Sequence, residues 1–387
     1  MFAESSPASD LSAEPWQRFR EQMPVAQKWA YFDHAAVAPL PAPSQQAIAH
    51  WVEQAAQEGD TVWPIWSRQV EKARALGAQL IGAEPEEVAL VRSTTEGISL
   101  VAEGFPWRAG DNVVTLANEF PSNLYPWMNL AARGVETRRV PVDDGRVELD
   151  RLAAACDSRT RIISVSWVGF LSGWRLDLDR VVELARGREA LVFVDAIQGL
   201  GVFPLDVRAT PIDFLAADGH KWLLGPEGAG LFYLRREHLD LLRPVGVGWH
   251  SVVHATDYSH IELALKPSAQ RYEGGTQNMV GFIGLARSLQ LLLDFGTANV
   301  GRRVLEIADL ACERLREVGG VVVSPHDGPH RSGIVAFELP GHDAAQVRQR
   351  ALAAGVVLSA RSGKLRIAPH VYTSSADVER LISVLVA

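Results

Sequence analysis

The sequence predicts an α/β protein in which a mostly parallel sheet forms a large part and a smaller α+β part follows. Short apolar runs alternate with amphipathic stretches between residues 88 and 234. Several of these runs, such as LVFVD at 191–195, are apolar throughout, which is typical of parallel strands covered on both faces. After residue 280 the pattern changes to two long helices followed by short strands and helices.

The individual elements follow from periodicity and from the residues that end them. Apolar stripes at helical spacing predict helices over 44–58 and 67–81, and Gly82 ends the second. Predicted strands cover 88–91, 112–116, 137–140, 161–168, 190–195, 212–217 and 229–234. Helices are predicted between them, over 94–102, 123–133, 149–155 and 178–187. This alternation is typical of βαβ units, whose parallel strands need long crossovers.

The C-terminal part is predicted to hold helices over 282–295 and 300–318, four short strands around one helix, and a final helix over 374–386. We therefore expect an N-terminal arm, residues 1–30, that packs with the small domain. A large domain over 31–280 and a small α+β domain over 281–387 would follow.

Composition excludes several classes of function. The chain has 387 residues, with 38 basic against 46 acidic residues and a formal net charge of −8, which favours neither nucleic acid nor an anionic membrane as partner. Two cysteines are too few for a disulfide scaffold. The N-terminus lacks the pattern of a signal peptide, and no apolar run reaches the roughly 20 residues that span a bilayer. We expect a cytoplasmic protein.

Polar residues that could bind a ligand or take part in catalysis follow three predicted strands. Lys221 comes after strand 212–217 in a glycine-rich turn, where it is either a surface lysine or a desolvated amine able to form a Schiff base. Asp195 ends strand 190–195 and is either a helix cap or the partner of a cationic ligand group. The segment STTE at 93–96 is either a capping box or a phosphate site at a helix N-terminus. Ligands bind at such strand ends, and an amine, a carboxylate and a phosphate site together suit pyridoxal phosphate.

These segments, in this order, resemble the class V aminotransferase family of pyridoxal-phosphate enzymes. The resemblance runs from about residue 31 to the C-terminus and is closest to the branch of cysteine desulfurases, isopenicillin-N-epimerase-like proteins and C–S lyases. The matching segments are YFDHAA at 31–36, STTEG at 93–97, VDAIQ at 194–198, GHK at 219–221, GTQN at 275–278 and LRIAP at 365–369. The resemblance implies the fold-type-I architecture.

The resemblance also implies how the cofactor is held. Lys221 would form the Schiff base and shuttle protons, Asp195 would pair with the pyridine nitrogen, and Gln198 would approach the phenolic oxygen. Phe120 would stack on the ring at a position where the branch has histidine. The residues implied at the phosphate are Thr94, Thr95 and His220.

Three further residues are implied in substrate binding and assembly. Arg366 would bind the substrate carboxylate, a task suited to the two parallel N–H groups of guanidinium. His34 is a candidate polar group near the substrate, the alternative being a satisfied structural histidine. Thr276 would reach the cofactor phosphate of the neighbouring subunit, which requires a homodimer with shared active sites.

Several positions depart from the pattern of the branch. Trp167 stands where an asparagine is usual, and Asp218 where serine is common; we expect Asp218 to serve as a cap or to contact His220. Desulfurases carry a nucleophilic cysteine shortly before the carboxylate-binding arginine, but the stretch 356–366 has none. Cys156 and Cys312 fall in predicted helical surroundings and are expected to be structural.

We therefore predict an enzyme that acts at the α-carbon of an amino acid, a small-molecule substrate, through Lys221. A cysteine-independent C–S lyase that works by β-elimination is favoured. A class V aminotransferase is the alternative, followed by an epimerase or a non-catalytic binding protein of the same fold. No metal is predicted, because the two histidines of SPHDGPH at 324–330 lack enough further ligands.

Overall fold

The computed structural model describes residues 14–326 and 328–386. Within these residues, the large part is built from eight strands and seven helices. The strands are β1 (Ala30–Tyr31), β2 (Val88–Val91), β3 (Asn112–Leu116), β4 (Glu136–Val140), β5 (Thr160–Ser166), β6 (Leu191–Asp195), β7 (Phe214–Asp218) and β8 (Gly230–Leu234). The helices are α1 (Pro15–Glu21), α2 (Ala42–Gln57), α3 (Trp63–Ile81), α4 (Thr94–Gly104), α5 (Tyr125–Met128), α6 (Leu149–Ala155) and α7 (Leu178–Arg186).

Strands β2 to β8 form one seven-stranded sheet in the order β2-β8-β7-β6-β5-β3-β4. Pairs within β4-β3-β5-β6-β7 are parallel, whereas β8 is antiparallel to both of its neighbours. The mostly parallel α/β sheet predicted from the sequence is therefore confirmed. Because β2 also runs opposite to β8, the carboxyl ends of β2, β6 and β7 lie at the same edge, where polar residues cluster.

The helix expected over 123–133 is shorter in the structure. Only Tyr125–Met128 is α-helical, and it lies between the 3-10 turns Pro121–Asn123 and Asn129–Arg133. Pro121 is the first residue of its turn and Pro126 the second residue of the α-helical turn, positions where a missing N–H group costs nothing. Gly134 ends the last turn in the left-handed region at φ 75°. Local proline chemistry therefore divides the segment into short turns.

The C-terminal part contains a four-stranded antiparallel sheet covered by helices. Its elements are α8 (Met279–Phe295), α9 (Thr297–Glu317), β9 (Val321–Val322), β10 (Val335–Glu338), α10 (Ala344–Ala353), β11 (Val356–Val357), β12 (Ser359–Arg361), β13 (Lys364–Ile367) and α11 (Ser375–Leu385). The sheet order is β12-β13-β10-β9, and the short strand β1 pairs in parallel with β11. The expected α+β character of this part agrees with the structure.

The contacts between the two parts locate their boundary. Helix α8 packs against α2 and α3, and its apolar residues belong to the core beneath the large sheet. We therefore propose that the small domain begins nearer residue 305 than residue 281. Residues 1–13 of the predicted N-terminal arm lie outside the described residues. The described end of the arm contacts the small domain, where Arg20 pairs with Asp377 at 2.6 Å.

Among the described residues, no single helix combines the length and apolarity needed to cross a bilayer. Only α8 and α9 taken together reach these values, as a pair bent by 82°.

Candidate active site

A cavity of about 400 Å³ opens at the carboxyl edge of the large sheet and is closed on one side by the small domain. Residues that line it follow three strands of the sheet, namely Ser93 and Thr94 after β2, Asp195 at the end of β6, and Lys221 after β7. Arg361 and Arg366, from β12 and β13, complete the wall. The structure thus brings together the strand ends singled out in the sequence.

Lys221 is buried in this cavity, with 8% of its surface exposed. Gly219 makes the preceding turn possible, because a Cβ there would lie only 2.5 Å from the carbonyl oxygen of Ala229. Burial lowers the pKa of Lys221 from 10.5 to about 8, a shift that Asp195 opposes and Arg366 favours. An appreciable share of this amine is therefore neutral near physiological pH, as a nucleophile or general base requires.

Asp195 is buried at 2% exposure, and its Oδ1 accepts a hydrogen bond from the N–H of Ile197 at 3.1 Å. Burial raises the pKa of Asp195 from 3.8 to about 6, while that hydrogen bond and the charge of Lys221 lower it. A desolvated carboxylate that lines a cavity is suited to a cationic ligand group. The attraction to the cation offsets the free energy that the carboxylate loses when it is removed from water.

The N-terminus of α4 faces the same cavity. Gly97 lets this helix lie close to the sheet, since a Cβ there would be 2.6 Å from the Cβ of Ala216. Ser93 caps the helix by accepting the N–H of Glu96, as the capping pattern predicts. Thr95 donates to the hydroxyl of Ser122 at 2.8 Å, and both residues line the cavity. Hydroxyls beside a helix N-terminus form a site suited to phosphate.

Thr94, His220 and Asp218 lie at the same end of the cavity. Thr94 Oγ1 accepts the N–H of Asp218 at 3.0 Å, which ties α4 to the end of β7. The carboxylate of Asp218 accepts the N–H of Gly219, and its Oδ2 lies 3.1 Å from Nδ1 of His220. The expected contact between Asp218 and His220 is therefore present.

Arg366 is buried at 3% exposure and is held from two sides. Its Nη1 donates to the carbonyl oxygen of Phe170 at 2.7 Å, and its Nη2 lies 3.4 Å from Oδ1 of Asp33. Its Nε is buried and finds no hydrogen-bond partner among the described residues. Buried N–H groups are normally paired, so the guanidinium of Arg366, which lines the cavity, still has one donor without a partner among the described residues.

Phe120 and Phe170 form an aromatic wall, with ring centroids 5.3 Å apart and planes at 82°. Nζ of Lys221 lies 5.5 Å from the centroid of Phe120, so the predicted stacking residue faces the lysine. Gln198 also lines the cavity; its amide donates to Ala35 O at 3.0 Å and accepts from Trp222 Nε1 at 2.8 Å. One N–H of Gln198 is left for a ligand oxygen.

Two predicted residues are not brought into the cavity. His34 is completely buried behind it, with its ring nitrogens 2.8 Å from Ala368 O and 2.8 Å from Tyr372 Oη. The structure corrects the expected substrate contact, because both nitrogens are satisfied and burial lowers the pKa of His34 well below 6.5. Thr276 is exposed and does not line this cavity of its own chain.

Sequence reasoning missed Ser122 and Phe170, which line the cavity from loops that carry no distinctive pattern. Arg361 also lines the cavity, because the β12–β13 hairpin places it on the wall. Trp167 has a structural explanation, since Gly199 leaves room for its ring; a Cβ at Gly199 would lie 2.5 Å from Cε3.

Neither cysteine lines the cavity among the described residues. Cys156 Sγ donates to Leu152 O at 3.2 Å, and Cys312 is 1% exposed in the core of the small domain. Burial raises the pKa of both thiols, which disfavours the reactive thiolate. Their positions agree with the structural role expected for them.

The sequence model of the family described as aminotransferase class-V matches residues 30–381. The chain belongs to this family. A probable cysteine desulfurase from Methanothermobacter thermautotrophicus is 28% identical, over 94% of this chain and 95% of that protein. A cysteine desulfurase from Salmonella agona is 32% identical over 86% and 85% of the two chains.

Solved structures of the same fold cover almost the whole chain. The apo cysteine desulfurase from Thermococcus onnurineus superposes with a TM-score of 0.87 at 26% identity, covering 97% of this chain and 98% of that one. A cystine C–S lyase in complex with its product cysteine persulfide superposes with a TM-score of 0.88 at 22% identity, covering 94% and 99%. The predicted fold-type-I architecture is confirmed.

Enzymes of this family depend on pyridoxal phosphate, and the residues present in the cavity fit that cofactor. The buried amine of Lys221 suits the aldehyde, the carboxylate of Asp195 suits a protonated ring nitrogen, and the hydroxyl-rich end of α4 suits a phosphate. These groups are desolvated or at a helix terminus before any ligand arrives, which is the arrangement that a charged cofactor would complete.

Proposed function

We propose that this protein is a pyridoxal-phosphate-dependent C–S lyase that acts by β-elimination on a small sulfur-containing amino acid without using a cysteine of its own. The observation that carries the proposal is the tight hairpin that presents Arg361 and Arg366 to the cavity. We place the activity in the cytoplasm, with neither nucleic acid nor a membrane as partner, as expected from the acidic composition.

Strands β12 and β13 are joined by only two residues. Ser362 and Gly363 both have left-handed backbone conformations, with φ of 49° and 78°, and Arg361 pairs directly with Lys364 across the hairpin. This is the pattern of a type I′ turn, which closes a hairpin with little freedom. The segment before Arg366 therefore offers neither a thiol nor a long loop to carry one to the substrate.

A relay through a protein persulfide needs a thiolate that attacks the substrate sulfur. Cys156 and Cys312 are held away from the cavity, which disfavours that relay. Elimination needs no enzyme thiol, because the electron pair of the Cβ–S bond leaves with the sulfur. The relatives named cysteine desulfurase and the structural neighbour named cystine C–S lyase show that the fold is compatible with either chemistry.

When bound, pyridoxal phosphate supplies an electron sink for the charge that develops at Cα. Lys221 would hold the cofactor and, once displaced by the substrate amine, take the Cα proton; its lowered pKa suits that task. Asp195 would stabilise positive charge at the ring nitrogen. Arg366 would fix the substrate carboxylate with its guanidinium, which orients the Cα–H bond.

The overall reaction balances without an oxidant or reductant. The Cα proton passes to Lys221, the Cβ–S bond breaks, and the leaving sulfur departs as a thiolate that takes up a proton. The three-carbon fragment then takes up water and yields pyruvate and ammonia. Phe120 and Phe170 cover the cavity on one side and limit the entry of water during the first steps.

The lyase proposal is tested by incubating the reconstituted enzyme with L-cystine and S-alkyl cysteines. Equal amounts of pyruvate, ammonia and released thiol or persulfide are expected, and the Lys221→Ala variant provides the blank. Alanine with sulfur transferred to the enzyme would identify desulfuration. Exchange with added keto acids would identify transamination, and incorporation of solvent deuterium with inversion at Cα would identify epimerisation; each would overturn the proposal.

We also propose that the enzyme is a homodimer with shared active sites. Thr276 lies on an exposed loop whose base is fixed, because Glu273 is buried against Arg74 and Asn278 caps α8. Large apolar side chains are exposed along the preceding segment, which favours a covering surface from a second copy. These side chains are Trp249, Val253, Tyr258, Ile261 and Leu263.

Subunit mixing tests the shared site. Lys221→Ala and Thr276→Ala proteins, each of low activity, are unfolded and refolded together. If Thr276 serves the partner's site, one site of each mixed dimer regains both residues and activity returns. If Thr276 serves its own chain, every site keeps one lesion and no activity returns. A monomer in sedimentation experiments that turns over normally would contradict the dimer.

A further inference from the structure

A buried carboxylate that the mechanism does not use lies beside the cavity. Glu119 follows β3, directly precedes Phe120, and is 6% exposed. Its Oε1 accepts the backbone N–H of Ser166 at 2.7 Å, and its Oε2 accepts the hydroxyl of the same residue. Ser166 ends β5 and is paired in register with Asp195, which ends β6. Glu119 thus binds the end of β5, the strand next to Asp195, through two hydrogen bonds.

The hydrogen bonds between Glu119 and Ser166 help to fix the position of Phe120. Phe120 is 43% exposed and its ring packs edge-to-face on Phe170, so its place also depends on the residues that flank it. On one side Glu119 is tied to Ser166. On the other side Asn123 donates its N–H to Phe120 O at 2.8 Å and accepts the hydroxyl of Ser164 at 2.6 Å. Both ends of the segment are therefore anchored to β5.

The carboxyl groups of Glu119 and Asp195 are close enough for their charges to interact. Burial and the nearby Asp195 raise the pKa of Glu119 to about 7, and the hydrogen bonds from Ser166 and Asn123 lower it. The titratable group that acts on Glu119 is thus Asp195 of β6, and the charge of Lys221 acts on Asp195 in turn. A second negative charge at this position would strengthen the hold on a cation at the end of β6.

We propose that Glu119 is a positioning residue of this active site: it sets Phe120 over Lys221 by holding Ser166, and it places a second carboxylate beside Asp195. The proposal rests on the proposed function only in that pyridoxal phosphate is the ligand. It does not depend on which reaction follows.

Two substitutions separate the two tasks. In Glu119→Gln the amide oxygen can still accept the N–H of Ser166, and its NH₂ group can donate to the hydroxyl. This variant therefore keeps both hydrogen bonds to Ser166 and loses the negative charge. In Glu119→Ala both are lost. Glu103→Gln is the matched control, because Glu103 lies at the far end of α4 in an exposed pair with Arg133 at 3.5 Å.

The measurements are the absorbance of the cofactor-loaded protein as a function of pH, the dissociation constant of pyridoxal phosphate, and the midpoint of thermal unfolding. In Glu119→Gln we expect affinity within about threefold of the wild type, and a titration midpoint of the cofactor band at least about half a pH unit lower, since removing an anion destabilises the protonated cofactor. In Glu119→Ala we expect affinity to fall about tenfold or more, with changed absorbance as the ring loses its place.

If both variants lower only the unfolding temperature, and the titration midpoint and the affinity match those of Glu103→Gln, Glu119 is merely structural and the proposal is overturned. Should Glu119→Ala fail to fold, the midpoint measured for Glu119→Gln decides alone. A wild-type protein that binds pyridoxal phosphate but makes no pyruvate would contradict the lyase and leave this test intact. A wild-type protein that does not bind it overturns both.

Discussion

Replacing Asp195 by asparagine should stabilise the cofactor-free protein at neutral pH and at the same time remove most of its activity. The carboxylate is 2% exposed, and burial raises its pKa from 3.8 to about 6. At about 1.4 kcal/mol per pH unit, keeping Asp195 ionised in the empty cavity costs about 3 kcal/mol. Asparagine can still accept the N–H of Ile197, so the variant loses the charge and keeps the local hydrogen bond.

The pH dependence follows from the sign of this shift. The folded protein binds this proton more tightly than the unfolded chain does. The stabilisation that the protonated Asp195 carboxyl contributes to the folded protein is therefore fully present below pH 3.8 and is lost as the pH rises through about 6. The gain in free energy of unfolding from Asp195→Asn should therefore be small near pH 4 and complete above pH 7.

Urea unfolding of the cofactor-free proteins between pH 4.5 and 8 measures this difference. The control is Asp294→Asn, an exposed carboxylate near the end of α8, which should change stability little at any pH. With the cofactor bound, Asp195→Asn should lose about 10²–10³ in kcat, typical of removing one preorganised electrostatic group. Equal stability of variant and wild type at pH 8, or activity within a few-fold, would refute the reasoning.

Three further predictions follow from the positions of single residues. Lys221→Ala should abolish turnover while leaving the fold nearly intact, and borohydride reduction of the wild type followed by peptide mapping should find the cofactor on Lys221. Arg366→Lys should lower kcat/KM roughly 100-fold in steady-state assays, since an ammonium cannot bind Phe170 O and a carboxylate with the same fork. The double variant Cys156→Ser/Cys312→Ser should keep kcat/KM within about twofold; a folded, cofactor-loaded but inactive protein would contradict the thiol-free mechanism.

The inner strands of the sheet were well predicted because they are buried on both faces. The run at 88–91 is apolar throughout and that at 112–116 is mostly apolar, and their predicted limits coincide with β2 and β3. Where proline interrupts a helical pattern, as Pro126 does, periodicity alone predicts too long a helix. The segment 212–217 shifts to Phe214–Asp218, and Ile212 at its predicted start instead donates its N–H to Thr210 O in a local turn.

Site residues were predictable where the backbone itself dictates the direction of the side chain. Residues that follow a parallel strand, such as Lys221 and Asp195, must lie at the carboxyl edge. His34 belongs to a segment that matched the family as well as theirs did, yet its side chain points to Ala368 and Tyr372 because β1 joins the small domain. A motif gives the place of a residue in the chain, and only packing gives the direction of its side chain.

The proposed lyase chemistry depends on the hairpin between β12 and β13. Proton removal at Cα requires Lys221, a ring-nitrogen partner and a carboxylate ligand, and these residues suit elimination, transamination and desulfuration equally. What separates the reactions is the group that meets the substrate sulfur. In this chain Arg361 directly precedes a two-residue turn and lines the cavity, and we propose that this cation, in place of a thiol, favours departure of an anionic thiolate.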